Sequence, residues 1–99
     1  TYFYTVTNSR YTAPAPAIDA VVPSSGPAEG GTSISIYGSG FSIGAEVKIG
    51  GVNATSSLVV VNSTKITCKT PAGSSGTKEV RVTNPNGQFG TAANGFTYY

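Results

Sequence analysis

Apolar and polar residues alternate in short runs along most of this chain, and turn-forming residues separate the runs. Ser33-Ile34-Ser35-Ile36-Tyr37 sets Ile34 and Ile36 on one side, with the two-residue period of a strand buried on one face. Glu46-Val47-Lys48-Ile49 repeats the pattern, with Val47 and Ile49 inward and both charges in water, before Gly50-Gly51 turns the chain. Ser57 to Val61 is expected as a short strand apolar on both faces. Lys65 to Lys69 directs Ile66 and Cys68 to the core, and Lys78 to Thr83 does the same with Val80 and Val82. Asn84-Pro85-Asn86-Gly87 reads as a turn, because Pro presets φ and Asn-Gly tolerates positive φ. Phe96 to Tyr99 is expected as the closing strand. No segment sustains a 3.6-residue period, so the pattern predicts an all-β domain without a substantial helix.

Composition agrees with that class. Leu occurs once, as Leu58, Met is absent, and the apolar set is chiefly Val, Ile, Ala, Tyr and Phe, a strand-forming vocabulary. Ninety-nine residues make one domain with room for one two-layer core. The net charge is +2, and the six basic residues, from Arg10 to Arg81, are scattered without a run or aromatic interleaving. Nucleic-acid binding has no support in that distribution. No stretch is long and apolar enough to span a bilayer, so membrane insertion is not expected. Low charge with abundant Ser, Thr and Gly leans toward an extracellular or cell-surface setting. A chain opening on Thr1 rather than Met reads as processed or excised. Cys68 is the only cysteine, which rules out a disulfide within the sequence and fits a small buried hydrophobe.

The ordered motifs resemble a known family. Val22-Pro23-Ser24-Ser25-Gly26-Pro27, Gly30-Gly31-Thr32 and Ile34-x-Ile36-x-Gly38-x-x-Phe41 resemble the opening of an IPT/TIG domain. Val47-x-Ile49-Gly50-Gly51, Ile66-Thr67-Cys68-x-Thr70-Pro71-Ala72-Gly73, Val80-x-Val82-Thr83-Asn84 and Phe96-Thr97-Tyr98 continue the pattern in order. The resemblance covers residues 18–99 and implies an immunoglobulin-like β-sandwich. It also implies a non-catalytic module: a spacer in receptors and surface proteins, a dimerisation domain, or an accessory domain of a starch-acting enzyme. Pro23 and Pro27 would end ladder pairing and let the chain cross between sheets, and Phe41 would plug one end of the sandwich.

Catalysis has little to build on. The chain has no His and no Trp, and its four carboxylates lie in four different segments. No Ser sits in a Gly-x-Ser-x-Gly elbow, and no helix follows Gly38-Ser39-Gly40 to hold a phosphate. The expected catalytic, cofactor and metal residues are therefore none. Asn53-Ala54-Thr55 and Asn62-Ser63-Thr64 are sequons, which makes Asn53 and Asn62 candidate glycosylation sites. Tyr37, Tyr98 and Tyr99 are candidates for a glycan platform, against the plainer expectation that they pack at the sheet ends.

Residues 1–12 stand apart from this domain. Tyr2, Phe3, Tyr4, Val6 and Tyr11 have strand character and put apolar area on both faces. A Pro/Ala spacer, residues 13–17, follows. Three readings are open: a strand of the same domain, the tail of a preceding domain, or an arm that adds to another copy. Twelve extended residues reach about 40 Å, and an arm-to-neighbour contact would build a ring or an open filament.

The function expected from the sequence is thus a non-catalytic extracellular module that links domains or self-associates, as in adhesion or filament proteins. Its expected partners are neighbouring domains, other copies of itself, or glycans. The rival expectation is a carbohydrate-binding or accessory module of a larger surface protein or polysaccharide-acting enzyme.

Overall fold

The computed structural model describes residues 15–99, which form nine strands and no helix. They are β1 (Ala17–Val22), β2 (Ser25–Gly26), β3 (Ser33–Ser39), β4 (Glu46–Ile49), β5 (Val52–Asn53), β6 (Val59–Asn62), β7 (Lys65–Lys69), β8 (Gly76–Thr83) and β9 (Phe89–Tyr98). One sheet runs β1-β3-β7-β6 and the other β2-β9-β8-β4-β5. Only β2 and β9 pair in parallel; every other pair is antiparallel.

Alternation in the sequence becomes burial between the sheets. Val21, Ile34, Ile36, Ile66 and Cys68 from the first sheet meet Val47, Ile49, Val80, Val82, Phe96 and Tyr98 from the second. Phe41, Ala45 and Ala54 complete the buried cluster from the loops and strand ends. Phe96 and Tyr98, two residues apart on one face of β9, pack edge to face with centroids 5.2 Å apart, the arrangement ring quadrupoles favour.

Pro23 and Pro27 sit where the chain changes layers. β1 belongs to the first sheet, and β2, which follows after a two-residue gap, belongs to the second. Prolines lack the N–H that a ladder needs, so they mark the breaks on either side of β2.

Two expected strands differ in extent. β6 begins at Val59 rather than Ser57, because Ser57 takes a left-handed φ of 54° that a strand cannot continue. β6 is also an edge strand, so Val59 and Val61 face water and Val60 alone leans on the core. The closing strand starts at Phe89, seven residues earlier than expected. Residues 89–92 are drawn into it by pairing with Val80 to Thr83, beyond a bulge at Lys78/Val80, although Gly90 and Ala92 are poor strand formers. β1 takes in Ala17, the last residue of the expected spacer.

Candidate functional site

The aromatic segment holding Tyr2, Phe3, Tyr4, Val6 and Tyr11 lies outside the described residues. Where the chain enters the sandwich is nevertheless clear. The backbone of Pro16 and Ala17 runs between Gly90 of one sheet and Gly38 of the other. Side chains at either glycine would strike the Pro16 or Ala17 carbonyl, so both positions need the bare backbone that Gly supplies. Pro16 and Ala17 are therefore held between the two sheets where the described chain begins.

This N-terminal pole is organised by one buried polar residue. Asn84 is buried and its amide serves two distant loop positions. Its Oδ1 accepts the Ser42 N–H at 3.1 Å, and its Nδ2 donates to the Gly40 carbonyl at 2.7 Å. Its backbone closes the β8–β9 hairpin, donating to Gln88 O at 2.8 Å and accepting from Gly87 N at 2.9 Å. Buried amides are costly unless bonded, so these contacts fix the 40–45 loop to the hairpin. Between that loop and the hairpin lies a recess of about 240 Å³ lined by Gly44, Glu46, Thr83, Asn84, Pro85 and Gly87.

The C-terminal pole is held by backbone as well. Tyr99 donates to Gly26 O at 3.0 Å and its carbonyl accepts from Ala28 N at 2.9 Å. Tyr98 is buried, and its hydroxyl donates to Pro71 O at 2.5 Å. Desolvation raises the Tyr98 phenol's pKa, with the Thr70 hydrogen bond opposing and nearby Cys68 adding to the rise. Thr70 is buried too, and its Oγ1 accepts the Thr32 N–H at 3.1 Å. Burial pushes the Cys68 thiol up to about 11, which leaves it protonated and unreactive at neutral pH.

The tyrosines considered as a glycan platform do not come together. Tyr98 is in the core; Tyr99 is exposed at the C-terminal pole. Tyr37 lies on β3 next to Gly38, toward the opposite pole, with Lys65 Nζ 5.6 Å from its ring centroid. Both sequons are at the surface. Asn53 lies on edge strand β5, and Asn62 ends β6 with its Oδ1 accepting from Thr64 N and Thr64 Oγ1, each at 2.8 Å. On the outer face of the five-stranded sheet, Arg81 stacks over Phe89 at 4.4 Å and approaches Glu79 at 3.8 Å. Among the described residues, no three His, Cys, Asp or Glu side chains are grouped to hold a metal ion.

Thr70 and Asn84 are the residues that sequence reasoning undervalued, reading one within a motif and the other as part of a turn. Their signal was position: each follows a strand and stands where the chain leaves the sheet.

A two-sheet, all-β sandwich with the strand orders β1-β3-β7-β6 and β2-β9-β8-β4-β5 is an immunoglobulin-like module. The family model for the IPT/TIG domain matches residues 16–98, and the chain belongs to that family. It is 36% identical over 81 residues to human Fibrocystin-L, and 37% identical over 68 residues to the mouse protein. Those matches cover 82% and 68% of this chain but 2% of each relative. Among solved structures, a "Putative phosphatase" from Bacteroides thetaiotaomicron superposes with a TM-score of 0.71 at 31% identity, covering 87% of this chain and 18% of that one. An auxiliary nutrient binding protein of the same species gives a TM-score of 0.67 at 25% identity, covering 87% of this chain and 21% of that one.

Proposed function

We propose that this chain is a non-catalytic connecting module of an extracellular or cell-surface protein, holding the units on either side of it in line. The observation that carries the reading is the placement of the two clamps. Pro16 is seated at Gly90, near the start of β9, and Tyr99 is bonded just past its end. Eight residues of extended strand separate them by about 25 Å, so the chain enters at one pole and leaves at the other. Backbone contacts at both junctions resist bending where a connector bears load. The small share of each relative that the match covers supports a unit within a longer protein, and the weakly charged, Ser/Thr-rich composition supports the surface setting. Light scattering of the full chain across a concentration series tests the reading. A constant mass near 10.0 kDa is expected.

One observation favours self-association as a second reading. Among the described residues β6 ends its sheet with Val59 and Val61 in water, an edge with apolar side chains that an extended segment of another copy could extend. Residues 2–7 are the segment of this chain suited to it. A mass that climbs with concentration in the same experiment would replace the connector by this donor-strand reading. Retention on a panel of polysaccharides, lost on replacing Tyr37 or Tyr99, would instead favour the glycan-binding alternative.

A further inference from the structure

The two sequons reach the surface in different conformations. Asn62, Ser63 and Thr64 form a closed turn at the end of edge strand β6. Asn62 Oδ1 accepts both the Thr64 N–H and the Thr64 hydroxyl, each at 2.8 Å, the turn that Asn side chains make with backbone two residues on. A backbone N–H can only donate, which fixes the oxygen end of the Asn62 amide. Its Nδ2 end makes no hydrogen bond among the described residues, and Asn62 and Thr64 are both exposed. The turn is also anchored, since Gly38 donates to Thr64 O at 2.9 Å and Phe41 to Ser63 O at 3.0 Å. Asn53 to Thr55 is built otherwise. Asn53 pairs with Lys48 in the β4–β5 ladder, and Ala54 is buried with its N–H bonded to Val47 O at 2.8 Å.

We propose that Asn62 is an acceptor for an N-linked glycan in the folded chain and that Asn53 is not. The inference rests on the extracellular part of the connecting reading, because such glycans belong to exported chains. In the transfer, Asn62 Nδ2 bonds to the anomeric carbon of an oligosaccharide carried on a polyprenyl diphosphate. The bond from that carbon to the diphosphate oxygen breaks, and the lipid diphosphate leaves with the electron pair. Nδ2 gives up one proton to a base of the transferase, and nothing is oxidised or reduced. The turn suits this step. It offers the unbonded Nδ2 and the Thr64 hydroxyl, the two groups a sequon supplies, together on one exposed loop. Folding Asn53 and Thr55 toward each other in the same way would pull Ala54 from the core and its N–H from Val47.

A glycan on Asn62 also bears on the open edge. Val59 and Val61 precede it on the same four-residue strand and are 53% and 51% exposed. Natural sheet edges are kept from pairing by being covered, and a glycan is bulky and solubilising. Placed here, it covers the β6 edge and leaves both poles free for neighbouring units.

Transfer to the purified, unglycosylated chain tests the proposal, with an oligosaccharyltransferase that accepts Asn-x-Thr and a polyprenyl-diphosphate-linked oligosaccharide. Peptide mass mapping of the folded chain should find the glycan on Asn62 and none on Asn53. Thr64→Ala should abolish the modification and Thr64→Ser should keep it. Free peptides spanning residues 50–58 and 59–67 should both be modified, because neither is held by the fold. A folded chain left unmodified at Asn62, or modified equally at Asn53, would overturn the proposal. So would free peptides that show the same preference as the folded chain, since the choice would then not come from the turn. The connecting reading fails on a different result: a mass that climbs with concentration removes it whether or not Asn62 accepts a glycan.

Discussion

Asn84 Nδ2 donates to the carbonyl of Gly40 at 2.7 Å across 44 residues of chain. That bond joins the β8–β9 hairpin to the loop that leaves β3, and it stands beside the point where the chain comes in. An amide in this position acts as a tie bolt: its two ends satisfy two backbone groups through part-buried hydrogen bonds. Asn84→Ala should therefore destabilise the domain by about 1–2 kcal/mol, from the loss of two part-buried hydrogen bonds that join distant segments. Asn84→Asp should cost stability as well, because a carboxylate cannot donate to Gly40. Chemical denaturation of both variants checks this. Near-neutral behaviour of Asn84→Ala would show that water replaces the amide freely.

The clamp on the incoming chain makes a second prediction. Gly90→Ala places a methyl against the Pro16 carbonyl, which must move or be strained. Overpacking of this kind costs about 1–3 kcal/mol, and the disturbance should centre on residues 15–18. Amide exchange should quicken there while Ile66 and Val82 stay protected. A Gly90→Ala chain with native exchange throughout would mean the incoming segment is not held at this point.

Ile36 is fully buried between the sheets, paired with Val21 on one side and Ile66 on the other. Ile36→Ala removes burial and leaves a cavity, for an expected loss of about 2–5 kcal/mol. Val59→Ala, on the outer side of edge strand β6, should change stability little, within about 0.5 kcal/mol. Urea titrations of the two variants side by side test the assignment of inner and outer faces.

Alkaline pH should weaken the fold through Cys68 and Tyr98. Both groups have pKa values raised by burial, Cys68 to about 11 from 9.0. Between those two values the unfolded chain gives up the thiol proton and the folded one keeps it. Stability is then full below about 9 and declines as pH rises toward about 11, since the native state binds more protons across that window. Thermal midpoints measured from neutral to alkaline pH should fall in this range, and Cys68→Ala should flatten the decline. An identical decline in Cys68→Ala would shift the effect to Tyr98. Thiol reagents should label Cys68 only as fast as the domain opens.

Some of this protein is determined within short windows of sequence. Ile34 and Ile36, Val47 and Ile49, Ile66 and Cys68, and Val80 and Val82 all face the core as their spacing requires. The two-residue period is a local property of extended backbone, so no knowledge of partners was needed. Gly50 and Gly87, with φ of 61° and 91°, turn the chain where Gly-Gly and Asn-Gly stand, for an equally local reason. The ordered Pro, Gly and Ile motifs together identified the family for residues 18–99, and the match spans 16–98.

Only the tertiary structure decided what depends on which strands meet. Tyr98 and Tyr99 are neighbours of the same type, yet one is buried and the other is 73% exposed. Tyr98 shares the inward face with Phe96, and the carbonyl of Pro71, brought from 27 residues away, receives its hydroxyl. Asn84 looks like one more turn residue until the 40–45 loop is folded against it. Gly38 and Gly90 are separated by 52 positions, and nothing local indicates that they clamp the same stretch of backbone from opposite sheets. Local patterns encode direction and turning; contacts between distant segments follow from the order of strands in the two sheets.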